Sequence, residues 1–409
     1  MKYKCFLLIN LYLLFGFTTV YAQMDSLLFQ QNTDIDRQAK GELRFRLDNI
    51  NFVRDNEYKG RYVKGYTLPG FWVQPSFSFQ PLHNLKVEAG VYLLRYWGAN
   101  KYPNLNYSDI PEWKGNQTQR GFHCLPVFRV QLSLTRNFDI LLGTLYGKNM
   151  HQLVEPLYNP EMGLTGDPEA GLQLRWHCRP LTLDAWVNWE SFIFRSDSHQ
   201  EAFTFGLSTR FHANSPQAPT HVYFPIQGLF QHRGGEINPE AESRGVKTWL
   251  NAAGGIGLDI HPTNHILTGI NLEAVATYFG QQKGDMLPFD KGYGIYAKAA
   301  AQLWRFRIQA GYSWCHNFIS INGNPLFGSI GIDYKGLTFH NPHLVTAHLE
   351  YAQPIGKGFA WGIHTDAYYH PKTDAHSQTE GWHTEASGLS FSAGLYLRVN
   401  LDLLIKRFK

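Results

Sequence analysis

The chain has 409 residues, a formal net charge of +4 and a mean hydropathy of -0.31. Its 37 basic and 33 acidic residues are dispersed and include no basic block, which argues against a nucleic-acid-binding protein. Four cysteines, one of them in the apolar N-terminal run, are too few for a disulfide-based scaffold. Apart from this N-terminal run, no stretch approaches the length of about 20 apolar residues that a membrane-spanning helix needs.

The N-terminus has the pattern of an export signal. Lys2 and Lys4 precede an apolar run over residues 5–17, and Ala22 offers a small residue at a cleavage site. The sequence predicts a signal peptide over residues 1–22, a mature chain beginning at Gln23, and a flexible periplasmic segment over residues 23–40. Residues 41–409 are predicted to form one outer-membrane domain.

Strict alternation of apolar and polar residues dominates this domain. Between residues 181 and 190, one face carries Leu181, Leu183, Ala185, Val187 and Trp189, whereas the other carries mostly polar side chains. Period two indicates a strand with two unlike faces. The same alternation recurs over residues 172–177, 203–210 and 305–314. A soluble β-sandwich can also alternate, but its apolar face would point inward.

The alternation predicts sixteen strands. They are expected at residues 41–54, 67–80, 85–98, 123–135, 138–147, 169–178, 181–191, 201–212, 220–232, 247–260, 265–279, 292–303, 306–317, 342–353, 358–370 and 389–405. Short connections alternate with long polar ones near 99–122, 148–168, 233–246, 318–341 and 371–388. This is typical of an all-β, transmembrane antiparallel β-barrel of about 16 strands with short periplasmic turns, long extracellular loops and both termini in the periplasm.

The mature chain resembles Gram-negative outer-membrane β-barrels of porin size over nearly its whole length. Its 22 Tyr and 11 Trp, together with Gln23 at the expected cleavage site, are similar to barrels of Bacteroidota. The resemblance implies a location in the outer membrane, contact with its lipid, and partners among other outer-membrane proteins or lipoproteins. Phe408 near the C-terminus agrees in part, because the apolar alternation breaks at Leu404 and needs a bulge to bring Phe408 into phase.

Charged side chains fall on the face that would line the lumen. The candidates are Arg44, Arg46, Glu88, Arg129, Arg175, Asp184, Glu190, Arg210, Lys298, Arg305, Arg307, Glu350, His364, Asp366 and Arg398. Opposed acidic and basic arcs would order water and favour polar solutes. The alternative is that these charges pair with each other and brace or fill the lumen, and the sequence leaves both open.

The sequence offers one weak candidate for catalysis. His364 and Asp366 share an inward strand face, and His370, His376 and His383 follow. However, no metal-ligand spacing and no serine on a nucleophile turn accompany them. The sequence therefore predicts a protein that is not an enzyme, with no catalytic residue, no metal and no cofactor.

Three functions remain in order of preference. The first is a porin-like passive conduit for small polar solutes. The alternative is a non-conducting accessory barrel that scaffolds a larger outer-membrane complex for assembly, secretion or glycan uptake. The third is a barrel hydrolase that uses His364, Asp366 and His370 at its rim.

Overall fold

A computed structural model describes residues 33–97, 122–192, 200–235, 245–263, 265–285, 287–334 and 336–408. Sixteen strands form a closed antiparallel barrel, in which each strand is hydrogen-bonded to the strand on either side. The predicted fold class is therefore confirmed. The predicted signal peptide, residues 1–22, lies outside the described residues.

The barrel strands are within four residues of their predicted bounds. They are β1 Glu42–Glu57, β2 Tyr66–Leu82, β3 Leu85–Tyr96, β4 Phe122–Ser133, β5 Phe138–Thr144, β6 Ala170–Cys178, β7 Leu181–Ser191, β8 Ala202–His212, β9 Thr220–Arg233, β10 Lys247–Ile260, β11 Leu267–Lys283, β12 Lys291–Leu303, β13 Phe306–His316, β15 His343–Gly356, β16 Phe359–His370 and β19 Gly388–Arg407. A separate sheet contains β14 Thr338–His340, β17 Thr373–Ser377 and β18 Gly381–Glu385. Within the described residues, no helix has the length and apolar character needed to traverse a bilayer.

The two ends of the barrel differ. At one end, here called the turn end, hairpins such as residues 83–84, 179–180 and 304–305 join the strands. At the other, the loop end, the connections are longer, and the separate three-stranded sheet lies there. Its buried face includes Phe339, whose ring stacks on Tyr62 at 3.8 Å. The asymmetry between short turns and long loops agrees with the sequence prediction.

Two long connections that were expected to face outward fold into the barrel instead. Loop A, residues 145–169, contains a 3-10 helix, Lys148–His151, and a one-turn helix, α1, Met162–Thr165. Loop B, residues 317–337, contains the 3-10 helix Pro325–Phe327. Both loops are mostly buried, and their apolar side chains share one core with the inner wall.

Inward-facing aromatic residues explain why the loops turn in. The wall near the loop end presents large apolar side chains to the lumen, namely Trp186, Leu229, Trp249, Val275, Phe279, Tyr296 and Tyr368. Loop A contributes Leu153 and Leu157, and loop B contributes Phe318 and Ile319, each at most 2% exposed. Removing this apolar surface from water favours the folded-in position. The hydrophobic core of this protein thus lies inside the barrel.

Glycines make room for two of the inward rings. A Cβ at Gly206 would lie 2.1 Å from the Trp186 ring, and one at Gly257 would lie 2.0 Å from the Tyr223 ring. Each glycine is the cross-strand neighbour of the ring that it accommodates. The absence of a side chain lets the ring lie flat against the wall.

The barrel wall is lowest at β5 and β6. These strands have 7 and 9 residues, whereas the flanking β4 and β7 have 12 and 11. β4 pairs with β5 only from Arg129 to Ser133, so residues 122–128 lack a strand partner on that side among the described residues. We call this gap at the loop end the β5–β6 notch.

A bulge at the C-terminus brings Phe408 onto the outer face. Arg44 pairs with Leu404 but Leu43 pairs with Lys406, so Ile405 is an extra residue in β19. Phe408 then packs edge-on against the outward ring of Phe79, with 5.7 Å between ring centroids. The break in alternation at Leu404 therefore has a local cause.

Replacing Gly206 by Ala should loosen the inner wall, since the new methyl group overlaps the Trp186 ring. Overpacking of this kind costs about 1–3 kcal/mol, and thermal unfolding of the purified protein in detergent, followed by circular dichroism, should show a lower midpoint. Gly356→Ala is the control, because a Cβ there meets no atom within 4 Å. Equal midpoints for the two variants would contradict the packing role of Gly206.

Candidate functional site

Near the turn end, the arginines predicted to face the lumen pair with carboxylates. Arg44 bonds to Glu42 and Asp402, both at 2.6 Å, and Arg129 bonds to Glu88 at 2.9 Å. The longer contacts are Arg46 to Glu88 at 3.7 Å and to Asp402 at 3.8 Å, and Arg398 to Asp48 at 3.8 Å. This geometry favours the interpretation that the charges brace the wall.

The remaining predicted lumen residues are held locally. Their contacts are Lys298 to Glu273 at 2.9 Å, Glu190 to Thr204 at 2.6 Å, Arg175 to His177 at 3.4 Å, Arg307 to Gln309 at 3.5 Å, Arg210 over the Tyr223 ring at 4.8 Å, and Arg305 over the Trp304 ring at 4.6 Å. Glu350 is buried on β15. Arg305 lies in the turn before β13, beside the exposed Trp304.

A buried cluster around Arg54 joins the wall to loop A. Arg54 Nε lies 2.5 Å from Glu161 Oε2 of loop A, and its Nη2 donates to Asp366 Oδ2 of β16 at 2.9 Å. His364 contacts Arg54 and Tyr396, and His348 Nδ1 lies 2.9 Å from Asp366 Oδ1. The sequence pattern identified His364 and Asp366 but missed Arg54, which is only 5% exposed.

The hydrogen bonds of this cluster do not form a nucleophile relay. Ser392 Oγ donates to Asp366 Oδ2 at 2.8 Å, so the serine and the two histidines bind the carboxylate in parallel. A serine nucleophile needs a base that accepts its proton, with a third group behind that base. The Arg54 cluster is therefore best described as the fastening of loop A to the wall.

His370 has different contacts from those of His364 and Asp366. Its Nε2 lies 2.9 Å from the Leu326 carbonyl oxygen of loop B, and its ring stacks on Tyr62 at 4.0 Å. His376 and His383 lie in β17 and β18 of the small sheet. The predicted hydrolase rim is thus divided among three places, each with its own structural partners.

A partly open chamber of about 70 Å³ lies between loop A and the inner wall of β2–β5. Aromatic and charged side chains line it, chiefly Trp72, Tyr92, Arg129, Tyr146, Lys148 and Glu169. Gln74 also faces this space. Concave sites with apolar walls and a few polar groups are where proteins bind small molecules and carry out chemistry.

Lys148 places its amine in the chamber. Its Nζ donates to the Tyr92 hydroxyl at 3.1 Å and lies 4.8 Å from the centre of that ring. Burial lowers the pKa of Lys148 to about 8, although the carboxylates of Asp167 and Glu169 favour its protonated form. The backbone at Lys148 is left-handed, with φ of 59°. An amine with this pKa is partly neutral near neutral pH and can accept a proton.

Behind Lys148, a histidine between two carboxylates links loop A to β7. His151 Nε2 lies 2.8 Å from Glu169 Oε2, and its Nδ1 lies 2.7 Å from Asp184 Oδ2 of β7. The other oxygen of Glu169 accepts the Lys148 backbone N–H at 2.8 Å. Burial opposes protonation of His151, but the charges of Glu169 and Asp184 prevail and raise its pKa to about 9. His151 also stacks on Trp186 at 3.4 Å.

Within the residues that the structure describes, no three or more His, Cys, Asp or Glu side chains are grouped so as to hold an ion. The His151 nitrogens are both directed at carboxylates.

A family model described as "Lipid A 3'-O-deacylase-type" matches residues 35–408. The chain belongs to this family. Membership overturns the expectation that the protein is not an enzyme, since the family is of deacylase type. Together with the closed barrel and its lipid-facing outer surface, it also agrees with an outer-membrane location.

Several solved barrels are similar over most of their length. OprD of Pseudomonas aeruginosa is 12% identical, with 92% of this chain and 100% of that chain covered and a TM-score of 0.45. OccAB3 of Acinetobacter baumannii is 10% identical, with 88% and 99% covered and a TM-score of 0.45. OmpT of Vibrio cholerae is 8% identical, with 88% and 97% covered and a TM-score of 0.44. No curated protein matches the sequence.

Sequence reasoning missed Lys148, His151 and Glu169 because loop A has no periodicity. One signal was available, since Trp186 breaks the polar face of β7 between Asp184 and Asn188. An indole directed into a barrel requires a partner there, and that partner is His151.

The pairing of His151 makes the anchoring of loop A sensitive to pH. With a folded pKa of about 9 and an ordinary value of 6.5, its stabilisation is complete below pH 6.5 and is lost as the pH rises through 9. The full effect is on the order of 3 kcal/mol. Lys148 acts in the opposite sense, because its lowered pKa makes the fold gain stability above pH 8.

The difference between wild type and His151→Gln isolates the histidine, since Lys148 is common to both. We expect proteolysis within loop A of the wild type to accelerate between pH 6.5 and 9.5, and that of His151→Gln to change less over this range. Limited proteolysis in detergent at several pH values, with mass spectrometry of the fragments, measures this. Parallel pH profiles would show that His151 does not anchor the loop.

Proposed function

We propose that this protein is an outer-membrane hydrolase that removes an ester-linked acyl chain from the 3'-O position of lipid A. Family membership supplies the reaction class and the substrate class. The observation that carries the proposal is the placement of Lys148, an amine of lowered pKa, in a chamber beside the β5–β6 notch.

The chamber lies beside the β5–β6 notch. Thr144, the last residue of β5, lines the chamber together with Leu145 and Tyr146. Pro168 and Glu169, which precede β6, line it from the other side. Because β5 and β6 are short, these residues lie where the wall is lowest. The proposal therefore includes entry of an acyl chain from the surrounding lipid layer at this side of the barrel.

The chemistry is direct hydrolysis by water. Neutral Lys148 Nζ takes a proton from a water molecule, whose oxygen adds to the ester carbonyl carbon. The carbon–oxygen bond to the sugar then breaks, and Lys148 returns the proton to the departing sugar oxygen. The products are a fatty acid and a free sugar hydroxyl. The Gln74 amide, which faces the same chamber, is suited to donate to the carbonyl oxygen as it gains charge.

The proposal includes an orientation of the barrel. The notch must open into the lipid leaflet that contains lipid A, which places the loop end outside and the turn end in the periplasm. Both termini then lie in the periplasm, since β1 begins and β19 ends at the turn end. Even-stranded bacterial barrels have this orientation.

The strand pattern by itself also suggested a passive conduit for small polar solutes. A conduit would need a path past loops A and B, whose apolar residues pack into one core with the inner wall. The ion pairs near the turn end, by contrast, line a wetter region, where Asp402 has a side chain that is 43% exposed. The hydrolase therefore has the stronger support, and the accessory scaffold stays a third proposal.

Replacing Lys148 by Met should reduce deacylation by about 10²–10⁴-fold, the usual contribution of a general base. Purified protein is mixed with lipid A in detergent micelles, and mass spectrometry counts the molecules that have lost one acyl chain. The wild-type rate should rise with pH through about 8, because the neutral amine is the active form.

Lys247→Met is the matched control, since Lys247 is another buried lysine, located on β10. It should retain activity. Unchanged lipid A after incubation with folded wild-type protein would contradict the proposal, and stable single-channel steps in a planar bilayer would then favour the conduit. Full activity of Lys148→Met would reject the chamber as the active site.

A further inference from the structure

An outward-facing column of rings lies on the wall opposite the notch. Eight strand steps separate β5 from β13 in the ring of sixteen strands. Tyr293 of β12 is 53% exposed, and its ring centroid lies 5.9 Å from Trp314 and 5.3 Å from His316 on β13. On the same outer face, the Tyr312 hydroxyl lies 2.7 Å from His343 Nδ1.

The column continues onto the exposed face of the three-stranded sheet. His316 contacts His340 at 6.1 Å, and Trp382 contacts His340 at 6.0 Å and His376 at 5.3 Å, between ring centroids. Trp382 is 68% exposed, more than any other large apolar side chain of the described residues. We call His316, His340, His343, His376 and Trp382 the histidine–tryptophan face.

The orientation of two imidazoles is fixed by Asn341. Its Oδ1 lies 2.7 Å from His316 Nδ1, and its Nδ2 lies 2.9 Å from His340 Nε2. Since the Asn341 amide donates to His340 Nε2, the proton of a neutral His340 is on Nδ1. Asn317 and Asn341 both have left-handed backbones, with φ of 52° and 50°. Such strained positions persist where the surroundings hold them.

This face presents N–H donors beside one lysine and one carboxylate. Lys291, at the start of β12, is exposed on the same side of the strand as Tyr293. Asp374 lies opposite His340 in the sheet and accepts from Thr384 Oγ1 at 3.0 Å. His340 Nδ1–H and the Lys291 ammonium group are therefore donors on this face, whereas neutral His316 donates its proton to Asn341 Oδ1. Imidazole and ammonium N–H groups are strong donors to phosphate oxygens.

We propose that the histidine–tryptophan face binds the phosphorylated sugar headgroup of a glycolipid in the surrounding leaflet. The face is continuous with the lipid-facing wall through Tyr293 and His316, so its ligand is part of the membrane. An exposed indole is favourable at a membrane interface and can stack on a sugar ring. Because this face lies across the barrel from Lys148, it is a binding surface separate from the proposed active site.

Native mass spectrometry of the full-length protein in mild detergent tests this surface. The probes are lipid A with its phosphates, the same lipid A after enzymatic dephosphorylation, and phosphatidylglycerol. Wild type should retain phosphorylated lipid A about tenfold more than either other lipid, as expected for a few charge-assisted hydrogen bonds. The triple variant His316→Gln, His340→Gln, His376→Gln should lose this preference.

Trp382→Ala should weaken retention of both forms of lipid A and leave phosphatidylglycerol unchanged. Trp304→Ala, at an exposed indole of the turn end, is its control and should bind like wild type. The proposal is overturned if wild type shows no preference, if phosphatidylglycerol binds equally well, or if the triple variant keeps the preference. The single variants His316→Gln and His340→Gln replace the triple variant if it fails to fold, and each should reduce the preference. Loss of this preference together with intact deacylation would leave the proposed active site untouched.

Discussion

The internal position of loop A depends on the pairing of Arg54. A guanidinium buried away from water must have its donors satisfied and its charge balanced, and here the wall supplies Asp366 and Ser392 while loop A supplies Glu161. A buried ion pair adds little net stability, but leaving one partner alone costs several kcal/mol. The wall can therefore not satisfy Arg54 fully unless Glu161 comes inside. The pair selects one position of the loop, and the apolar core then stabilises that position.

Once loop A is inside, the short strands β5 and β6 determine where Lys148 lies. The loop leaves β5 at Thr144 and must turn inward within a few residues, which puts Lys148 beside the wall with Tyr92. His151 and Glu169 hold both ends of the loop at this height, because His151 also contacts Asp184 of β7. The same short strands that expose the side of the chamber therefore also fix its amine. In the proposed function, the short strands β5 and β6 therefore account for both the entry side of the chamber and the position of the Lys148 amine.

The sequence was sufficient for the barrel but not for its contents. Sixteen strands could be placed because the side chains of each strand alternate between lipid and lumen. A register shift of one residue would turn every side chain to the wrong face. The bulge at Ile405 was visible as the doubled Leu403 and Leu404. The chamber could not be found in this way, because Lys148 and Tyr92 lie far apart in sequence and meet only after the barrel closes. Trp186 and Trp72, both inward-facing aromatic residues, were the signals that the lumen has an apolar lining.

A conduit needs a continuous water-filled lumen, whereas a hydrolase gains from a site that holds little water. A conduit needs a continuous wet path, so its loops must leave polar surface facing solvent along the whole axis. A hydrolase gains from a site where few waters compete, because low dielectric lowers the pKa of an amine and strengthens each hydrogen bond. Here the rings of Trp72, Tyr92 and Tyr146 line the chamber that holds Lys148, and burial lowers the pKa of its amine. The aromatic side chains that narrow the lumen at this height therefore surround the proposed base and favour its neutral form.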